Sequence, residues 1–289
     1  MDLSIAALAL TSAFLHPFWN LLVKDSAYGQ GAFLNCIIAS LVLAGVQALL
    51  LGIDLSSGLQ VWPLLLIAAA GEVLFGITLL ATYSRGDLSV YYPIIRSSPL
   101  FIVIVGVSLL GHRYGATLLL GIGLVVVGAF FLQYHGTKRL LHDPHTLIVA
   151  LLAMMSVGIY SLADAVALRA IDPAVRLFWV ELMVAPSLAV WYALRRPHER
   201  SALVHLFGGW RTTPWRFLAI GVLAYVSYFL VLAAYKLGGN VAAVTSLRQA
   251  SIPISVLLAA YYLRETSLLR RMLWSLVLAA GIVVIIAAG

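Results

Sequence analysis

Charged residues are scarce in this chain of 289 residues. Asp, Glu, Lys and Arg make up 10% of it, whereas a soluble domain has about 25%. Apolar and aromatic residues make up 63%, and the mean hydropathy is +1.03. One soluble core cannot bury so much apolar surface, so lipid must cover the remainder. The composition therefore predicts a polytopic membrane protein and excludes a nucleic-acid-binding protein, despite a net charge of +7.

Several chemical signatures are also missing. A single cysteine, Cys36, excludes an internal disulfide and a cysteine-based zinc site. The sequence has no G-x-x-x-x-G-K-[ST] motif, so we do not expect the chain to hydrolyse ATP. It also lacks an H-E-x-x-H motif or paired aspartates on facing spans, which argues against an intramembrane enzyme. We expect no enzymatic activity, no cofactor and no metal ion.

Ten segments are long and apolar enough to cross a hydrocarbon layer of ~30 Å as helices. They are residues 3–23, 32–51, 63–84, 89–110, 115–134, 146–168, 174–194, 215–236, 241–263 and 269–288. Only 195–214 is a connection of any length. No Lys or Arg precedes the first span, which predicts a retained helix and not a cleaved signal peptide.

Positive charge is unevenly distributed over the connections. Of the 18 Lys and Arg residues, 12 lie after odd-numbered spans and two lie inside spans. The four that we assign to connections after even-numbered spans are Arg113, Arg169, Arg176 and Lys236. Cytoplasmic connections retain positive charge, so we predict an inner-membrane protein with both termini on the non-cytoplasmic side.

Weak internal similarity relates the two halves of the chain. A shift of 152 residues aligns Arg96 with Arg248, along with a tyrosine and a glycine in each half. Residues 1–140 and 141–289 then contain five spans each, and an odd number of spans gives the halves opposite orientations. The predicted fold is an all-α polytopic membrane protein with ten transmembrane helices in two inverted five-helix repeats. Secondary transporters of this design bind substrate near the membrane midplane.

Three segments of the chain match motifs of known membrane proteins. Residues 15–22, Leu-His-Pro-Phe-Trp-Asn-Leu-Leu, resemble a small-His-x-x-Trp-Asn motif of a first span. Residues 92–100 are similar to Tyr-Pro-x-x-Arg-x-x-x-Pro-Leu of a fourth span. Residues 246–251, Ser-Leu-Arg-Gln-Ala-Ser, resemble Ser-Leu-Arg-Glu-x-Ser of a ninth. By these motifs the chain resembles EamA-type members of the drug/metabolite transporter superfamily.

The resemblance covers essentially all ten spans and implies a metabolite carrier with ten helices, usually an exporter. Gln249 stands where the family motif has an acid, which argues against acidic coupling at that position. The resemblance also implies cytoplasmic termini, whereas the charge distribution of this chain places them outside. We follow the charge distribution.

Five charged residues stand inside predicted spans, where an ionised side chain costs about 2.5–3.5 kcal/mol on insertion scales. They are Glu72, Arg96, Asp164, Glu181 and Arg248. One hypothesis is that they neutralise one another as structural pairs. The other is that the two arginines face a central cavity and bind an anionic or zwitterionic substrate, because guanidinium grips carboxylate or phosphate as a fork.

The acids have open assignments. Glu72 is a candidate both for proton coupling and for the counter-ion of Arg96. Glu181 is a candidate for binding a substrate amine. Asp164 lies five residues from the end of its span, where we expect water to reach it.

His16, Trp19 and Asn20 share one helical face beside Pro17, which suits either a cavity wall or helix packing. Aromatic side chains in other spans offer ring faces to an organic or cationic group. The complete predicted substrate-binding or coupling set is Arg96, Arg248, Glu72, Glu181, Asp164, His16, Trp19, Asn20, Tyr92, Tyr160, Trp179, Tyr225, Tyr228 and Gln249.

Prolines inside spans 4 and 9 predict broken helices beside the two arginines. Glycines in spans 5 and 10 predict close helix packing and leave a homodimer open.

The leading function is a secondary transporter, an exporter by the resemblance, that moves amino acids or related carboxylated metabolites across the lipid bilayer by alternating access. Proton coupling, exchange or the substrate gradient would drive it. The alternatives are a carrier of organic cations or drugs, favoured if the acids and aromatic rings face the cavity, and a non-transporting membrane scaffold.

Overall fold

A computed structural model describes residues 1–24, 26–85, 88–134, 143–195, 202–255 and 268–288. Its α-helices are α1 (Leu3–Lys24), α2 (Gly29–Leu51), α3 (Trp62–Arg85), α4 (Leu88–Arg96), α5 (Ser98–Ser108), α6 (Ala116–Gln133), α7 (Pro144–Ala167), α8 (Pro173–Arg195), α9 (Ala202–Thr212), α10 (Pro214–Lys236), α11 (Val241–Leu247) and α12 (Leu268–Ala287). Short 3-10 helices occupy Leu55–Val61 and Arg248–Ala250. All regular structure in these ranges is helical, as predicted. The predicted boundary between repeats, at residues 140 and 141, lies outside the described residues.

Eight helical segments are long and apolar enough to cross a membrane, and each coincides with a predicted span. They are Leu3–Val23, Gly31–Leu51, Leu55–Thr82, Tyr91–Ser108, Ala116–Gln133, Pro144–Ala167, Pro173–Leu194 and Pro214–Lys236. The shorter apolar helix Met272–Ala287 falls at the tenth predicted span. The ninth, 241–263, is described only as far as residue 255. The chain is a multi-pass membrane protein.

Spans 4 and 9 are interrupted beside their prolines. α4 ends at Arg96, and α5 begins one residue after Ser97. Pro99 has no backbone N–H with which to continue the helical hydrogen bonds across this junction. In span 9, the helix tightens to 3-10 geometry from Arg248, ahead of Pro253. Both intramembrane arginines predicted from the sequence therefore stand at breaks in their helices.

Helix pairs join the N-terminal half of the chain to the C-terminal half throughout the described residues. The pairs are α3 with α7, α1 with α10, α2 with α8, α5 with α11, and α6 with α12. The amino group of Met1 donates a hydrogen bond of 3.0 Å to the carbonyl of Ile286. The start of α1 and the end of α12 therefore lie on the same side of the helix bundle.

Glycines bring α6 and α12 into backbone contact, as their spacing predicts. A Cβ atom on Gly128 would lie 2.7 Å from the backbone nitrogen of Leu278, and one on Gly281 would lie 2.7 Å from that of Val125. A Cβ on Gly121 would meet Ile285. These three glycines pack helices within the chain, so they no longer favour a homodimer.

The connection 195–214 contains a helix that the sequence analysis does not predict. α9 turns Leu206 toward the protein interior and leaves Phe207 exposed. Trp210 Nε1 donates to Asn35 Oδ1 at 2.9 Å, and Asn35 Nδ2 donates to the carbonyl of Phe217 at 2.7 Å. These hydrogen bonds attach α9 to α2 and α10.

Candidate functional site

An arginine that the sequence analysis assigned to a connection forms the centre of a buried ion network. Arg176 lies in the first turn of α8, and its side chain is fully buried. Its Nε donates to Asp164 Oδ1 at 2.7 Å and its Nη2 to Asp164 Oδ2 at 2.8 Å. The same Nη2 donates to Glu72 Oε1 at 2.6 Å. Arg176 therefore neutralises carboxylates from both α7 and α3.

Two expectations are corrected by this network. Asp164 was expected to be reached by water, but it is 0% exposed because Arg176 covers its carboxylate. Glu72 was a candidate counter-ion for Arg96, but it pairs with Arg176 instead. The sequence did contain a signal for Arg176: Asp172-Pro173 is a typical helix start, with Asp at the N-cap and Pro at N1. The predicted span 174–194 also contains position 176, although the count of charges grouped Arg176 with the preceding connection.

Tyr228, on α10, joins the ion network to a second arginine. Its hydroxyl donates to Asp164 Oδ2 at 2.8 Å. The Cζ atoms of Arg176 and Arg248 lie 5.1 Å and 5.6 Å from the centroid of its ring. These distances are typical of cation–π contacts. One aromatic ring therefore contacts two guanidinium groups on different helical segments.

Arg96 and Arg248 differ from Arg176 in having no carboxylate partner in the part of the chain that the structure describes. Within the described ranges, neither makes a salt bridge. Arg96 Nη2 donates to Ser251 Oγ at 3.3 Å, and its Cζ lies 5.4 Å from the ring centroid of Tyr92. Both arginines keep part of their surface accessible. The two aligned positions of the halves thus carry positive charge that the described carboxylates do not neutralise.

His16 belongs to the same part of the molecule. It lies within electrostatic reach of both Arg96 and Arg248, and α1 packs against the 3-10 turn that carries Arg248. Its imidazole meets Trp19 edge to face, with ring centroids 4.9 Å apart. The structure therefore brings His16 and the two arginines together, with Trp19 beside them. Asn20 follows on the same helix, half-buried.

Seven buried side-chain polar atoms have no hydrogen-bond partner among the described residues, and two of them are oxygen atoms of predicted site residues. One is Glu181 Oε2, on α8, in a side chain that is 5% exposed. The other is Oε1 of Gln249, whose Nε2 donates to the carbonyl of Thr245 at 3.4 Å. A buried polar atom without a partner costs free energy, so such atoms mark places where a ligand or proton can bind.

The remaining predicted residues divide between the site and its surroundings. Tyr160 is buried and meets the ring of Tyr228 edge to face at 6.5 Å. Trp179 is elsewhere: its Nε1 donates to the carbonyl of Leu55 in the first 3-10 helix at 2.8 Å. Tyr225 hydrogen-bonds to Gln47 on α2. The last two fasten helices and do not contact the arginines.

Comparison with known proteins agrees with this architecture. Residues 209–289 match a family model described as CRT-like, chloroquine-resistance transporter-like. No curated protein matches the sequence. A solved structure, titled only as the crystal structure of a protein, superposes with a TM-score of 0.76 at 17% identity over 98% of this chain and 97% of that one. The chain thus shares its fold with a known structure, and its C-terminal region resembles a family of membrane transporters for small solutes.

Proposed function

We propose that the chain is a secondary carrier of small organic metabolites, in which Arg96 and Arg248 bind the anionic group of the substrate. The observation that carries this proposal is that these two arginines are unneutralised within the described residues, while Arg176 is paired with two acids. Amino acids and related carboxylated compounds fit best, because a guanidinium binds a carboxylate through two parallel hydrogen bonds.

The cost of buried charge supports a binding role. An unpaired arginine in a membrane span is expensive unless it faces water or binds an anion for part of a cycle. His16 adds a hydrogen-bonding group near both arginines, and Tyr92 and Tyr228 hold their guanidinium groups through ring contacts. A substrate carboxylate between Arg96 and Arg248 would supply the missing negative charge.

The transport mechanism we propose is alternating access between two inverted repeats. In such an arrangement each span of the first half corresponds to the span five places later in the second half. Helices α3 and α7 form spans 3 and 6, which correspond to spans 8 and 1, formed by α10 and α1, and both pairs are in contact. The pairs α2–α8, α5–α11 and α6–α12 each join two corresponding spans, so each of these pairs corresponds to itself. Broken spans at both arginines suit a site at the interface of the repeats.

We place the carrier in the inner membrane, with both termini on the non-cytoplasmic side, acting as an exporter. The adjacency of Met1 and Ile286 supports an even number of crossings. Arg176 lies inside a span, where two carboxylates neutralise it, so Arg113, Arg169 and Lys236 are the residues of that group that remain at or beside connections after even-numbered spans. The bias of positive charge toward the other side is therefore kept.

A second candidate is a carrier of organic cations or drugs. The buried carboxyl group of Glu181, which has no hydrogen-bond partner among the described residues, favours it. Aromatic rings such as Tyr160 would then contact the cation. A substrate of this class would bind without help from Arg96 or Arg248, so the two candidates are separable by experiment.

Counterflow in proteoliposomes tests the proposal. Purified protein is preloaded with separate pools of amino acids, organic phosphates or quaternary amines, and uptake of labelled substrate is measured. We expect uptake with a carboxylated or phosphorylated pool and a loss of at least about tenfold in Arg96→Ala and in Arg248→Ala, equivalent to about 1.4 kcal/mol. Arg169→Ala, at an exposed arginine outside the spans, is the matched control and should transport like the parent.

The same variants separate a carrier from a scaffold. Neither Arg96 nor Arg248 neutralises a described carboxylate, so their removal leaves none of the described carboxylates unpaired and the variants should fold. Size-exclusion chromatography checks this. Uptake of amines alone, indifferent to Arg96→Ala, would favour the cation carrier. Arginine variants that fail to fold, together with no uptake from any pool, would favour the scaffold.

A further inference from the structure

Glu181 is a buried acid whose charge the ion network leaves uncompensated. It lies on α8, five residues after Arg176, and its Oε2 has no hydrogen-bond partner among the described residues. The Nε and Nη2 atoms of the nearby Arg176 already donate hydrogen bonds to Asp164 and Glu72. Glu181 is therefore the third carboxyl group beside a single cation. If all three were ionised, two negative charges would remain unbalanced in a buried, membrane-spanning region, which is strongly unfavourable.

The surroundings of Glu181 contain no second cation among the described residues. The groups close enough to interact with it electrostatically are Glu72 from α3, Asp164 from α7 and Arg176 from its own helix. From α2, the thiol of Cys36 lies within reach. α9, α10 and the 3-10 helix Leu55–Val61 also pack against α8, but bring no described charged group that interacts with Glu181.

The position of Glu181 also separates it from the arginines that we assign to the substrate. Arg96 and Arg248 are not among its electrostatic neighbours. Tyr228 and the Arg176 network lie between Arg248 and the acids. Among the described residues, Arg248 and Glu181 therefore belong to different sets of contacts, and we assign the acid a role of its own.

We propose that Glu181 is a proton-binding site of the carrier, occupied in this conformation and emptied when the cluster opens to water. This rests on the proposed function and names the coupling residue. A proton from water forms an O–H bond at Glu181 and makes the buried side chain neutral. When the cluster is hydrated the bond breaks, and the proton leaves to water on that side.

The structure explains why a proton suits this site better than a metal cation. Metal cations such as Mg²⁺ and Ca²⁺ need six or more oxygen ligands, but both oxygens of Asp164 already accept hydrogen bonds from Arg176 or Tyr228. Arg176 Nη1 is buried and has no acceptor among the described residues. It is thus available to stabilise Glu181 once the proton has left, so Arg176 Nη1 and the carboxyl group of Glu181 together provide for both charge states.

An infrared measurement tests the proton without any substrate. Full-length protein in liposomes at neutral pH should show the carbonyl stretch of a protonated carboxylic acid, shifted in D₂O. Glu181→Gln should lose this band, and Glu72→Gln should keep it. If the glutamine variant fails to fold, Glu181→Asp takes its place in the test. This variant retains a carboxyl group and should show the band at a displaced frequency. A wild-type spectrum without the band, or a band that survives in Glu181→Gln, would overturn the assignment.

Transport tests the coupling. With a substrate identified by counterflow at equal pH, an imposed gradient of one pH unit should drive accumulation of up to about tenfold per proton in the wild type. Glu181→Gln should still show measurable exchange, but lose the response to the gradient. A gradient response that persists in the variant, or is absent in the wild type, contradicts the proposal. Absence of counterflow from every pool would instead reject the proposed function, and the infrared band would still decide whether Glu181 holds a proton.

Discussion

The α3–α7 contact and the α1–α10 contact occupy corresponding places under the proposed inverted repeat, yet they use opposite chemistry. The first carries the buried carboxylate of Asp164 and the half-buried carboxylate of Glu72, both paired with Arg176 from the neighbouring α8. The interior of the second is joined by neutral groups: Ser12 Oγ donates to the carbonyl of Ser227 at 2.6 Å, and Ser227 Oγ donates to the carbonyl of Ser12 at 3.1 Å. At the end of the pair, Arg216 at the start of α10 donates to the carbonyl of Leu22 at 3.0 and 2.9 Å. Small hydroxyl groups therefore hold the interior of this helix pair without any carboxylate.

This difference teaches that the charges on the α3–α7 side are not needed for packing alone. Replacing a buried ion network by apolar residues of similar volume is often neutral or stabilising in other proteins. A chain that retains three acids and a guanidinium on one side has a use for them there, and charge movement during transport is such a use. Tyr228 lies on α10, but its hydroxyl donates to Asp164. It therefore connects the interior of the α1–α10 pair, which we call the neutral side, to the α3–α7 pair, which we call the charged side.

The largest effect should come from removing the cation of the charged side. Arg176→Met leaves Asp164 and Glu72 buried without their partner, and breaking a buried pair in this way costs about 3–5 kcal/mol. We expect little folded protein after solubilisation, measured by size-exclusion chromatography and thermal unfolding. Adding Asp164→Asn and Glu72→Gln to Arg176→Met should recover much of the folded fraction, because no charge is then left unpaired. A single variant as stable as the parent would show that the network contributes little.

Tyr228→Phe should have the next largest effect, because it cuts the connection between the two sides and keeps the ring. It removes the hydroxyl that donates to Asp164, and a hydrogen bond to a charged group contributes about 1.5–3 kcal/mol. Thermal unfolding should show this loss of stability. Tyr228→Leu should lose more, since it also removes the ring contacts with Arg176 and Arg248. Equal stability of the two variants would mean that those ring contacts are worth nothing.

The contrast between the two sides also shows which features of the structure can be predicted from the sequence. The helix boundaries follow from apolar runs and were predicted closely; α10, for example, was expected at 215–236 and spans Pro214–Lys236. The breaks at Arg96 and Arg248 follow from proline chemistry. The partner of Glu72 could not be predicted, because helix rotation decides which side chains meet. α9 was not predicted because only a few of its residues, such as Leu206, are apolar and buried.

On the neutral side we expect a much smaller effect. Ser12→Ala removes the hydroxyl that donates to the carbonyl of Ser227, and hydrogen bonds between membrane helices average about 0.6 kcal/mol. The melting temperature should fall slightly, by far less than for Arg176→Met. Ser108→Ala, at an exposed serine of α5, is a matched control that removes a hydroxyl bonded within its own helix. A loss of stability at Ser12 comparable to that at Arg176 would remove the distinction between the sides.

The smallest effect should come from the N-caps of α7 and α1, which begin one helix of each compared pair. Asp143 begins α7 by accepting hydrogen bonds from the backbone N–H groups of His145 and Thr146, and Asp2 begins α1 by accepting one from Ser4. The Thr146 side chain and backbone hold the pKa of the Asp143 carboxyl below its usual value of 3.8, and the Ser4 side chain and backbone do the same for the pKa of Asp2.

A lowered pKa in the folded state means that the ionised form is favoured by folding. The stabilisation from Asp143 is therefore fully present above its unfolded pKa near 3.8 and is lost as the pH falls through the lower folded value. Asparagine accepts the same backbone hydrogen bonds but does not titrate there. The melting temperature should thus fall slightly less steeply between pH 5 and pH 3 in Asp143→Asn than in the parent, and the same should hold for Asp2→Asn. Because caps act locally, the two variants should behave alike, in contrast to the unequal interiors of the helix pairs that they begin. A variant that declined as steeply as the parent would show that the cap does not depend on charge.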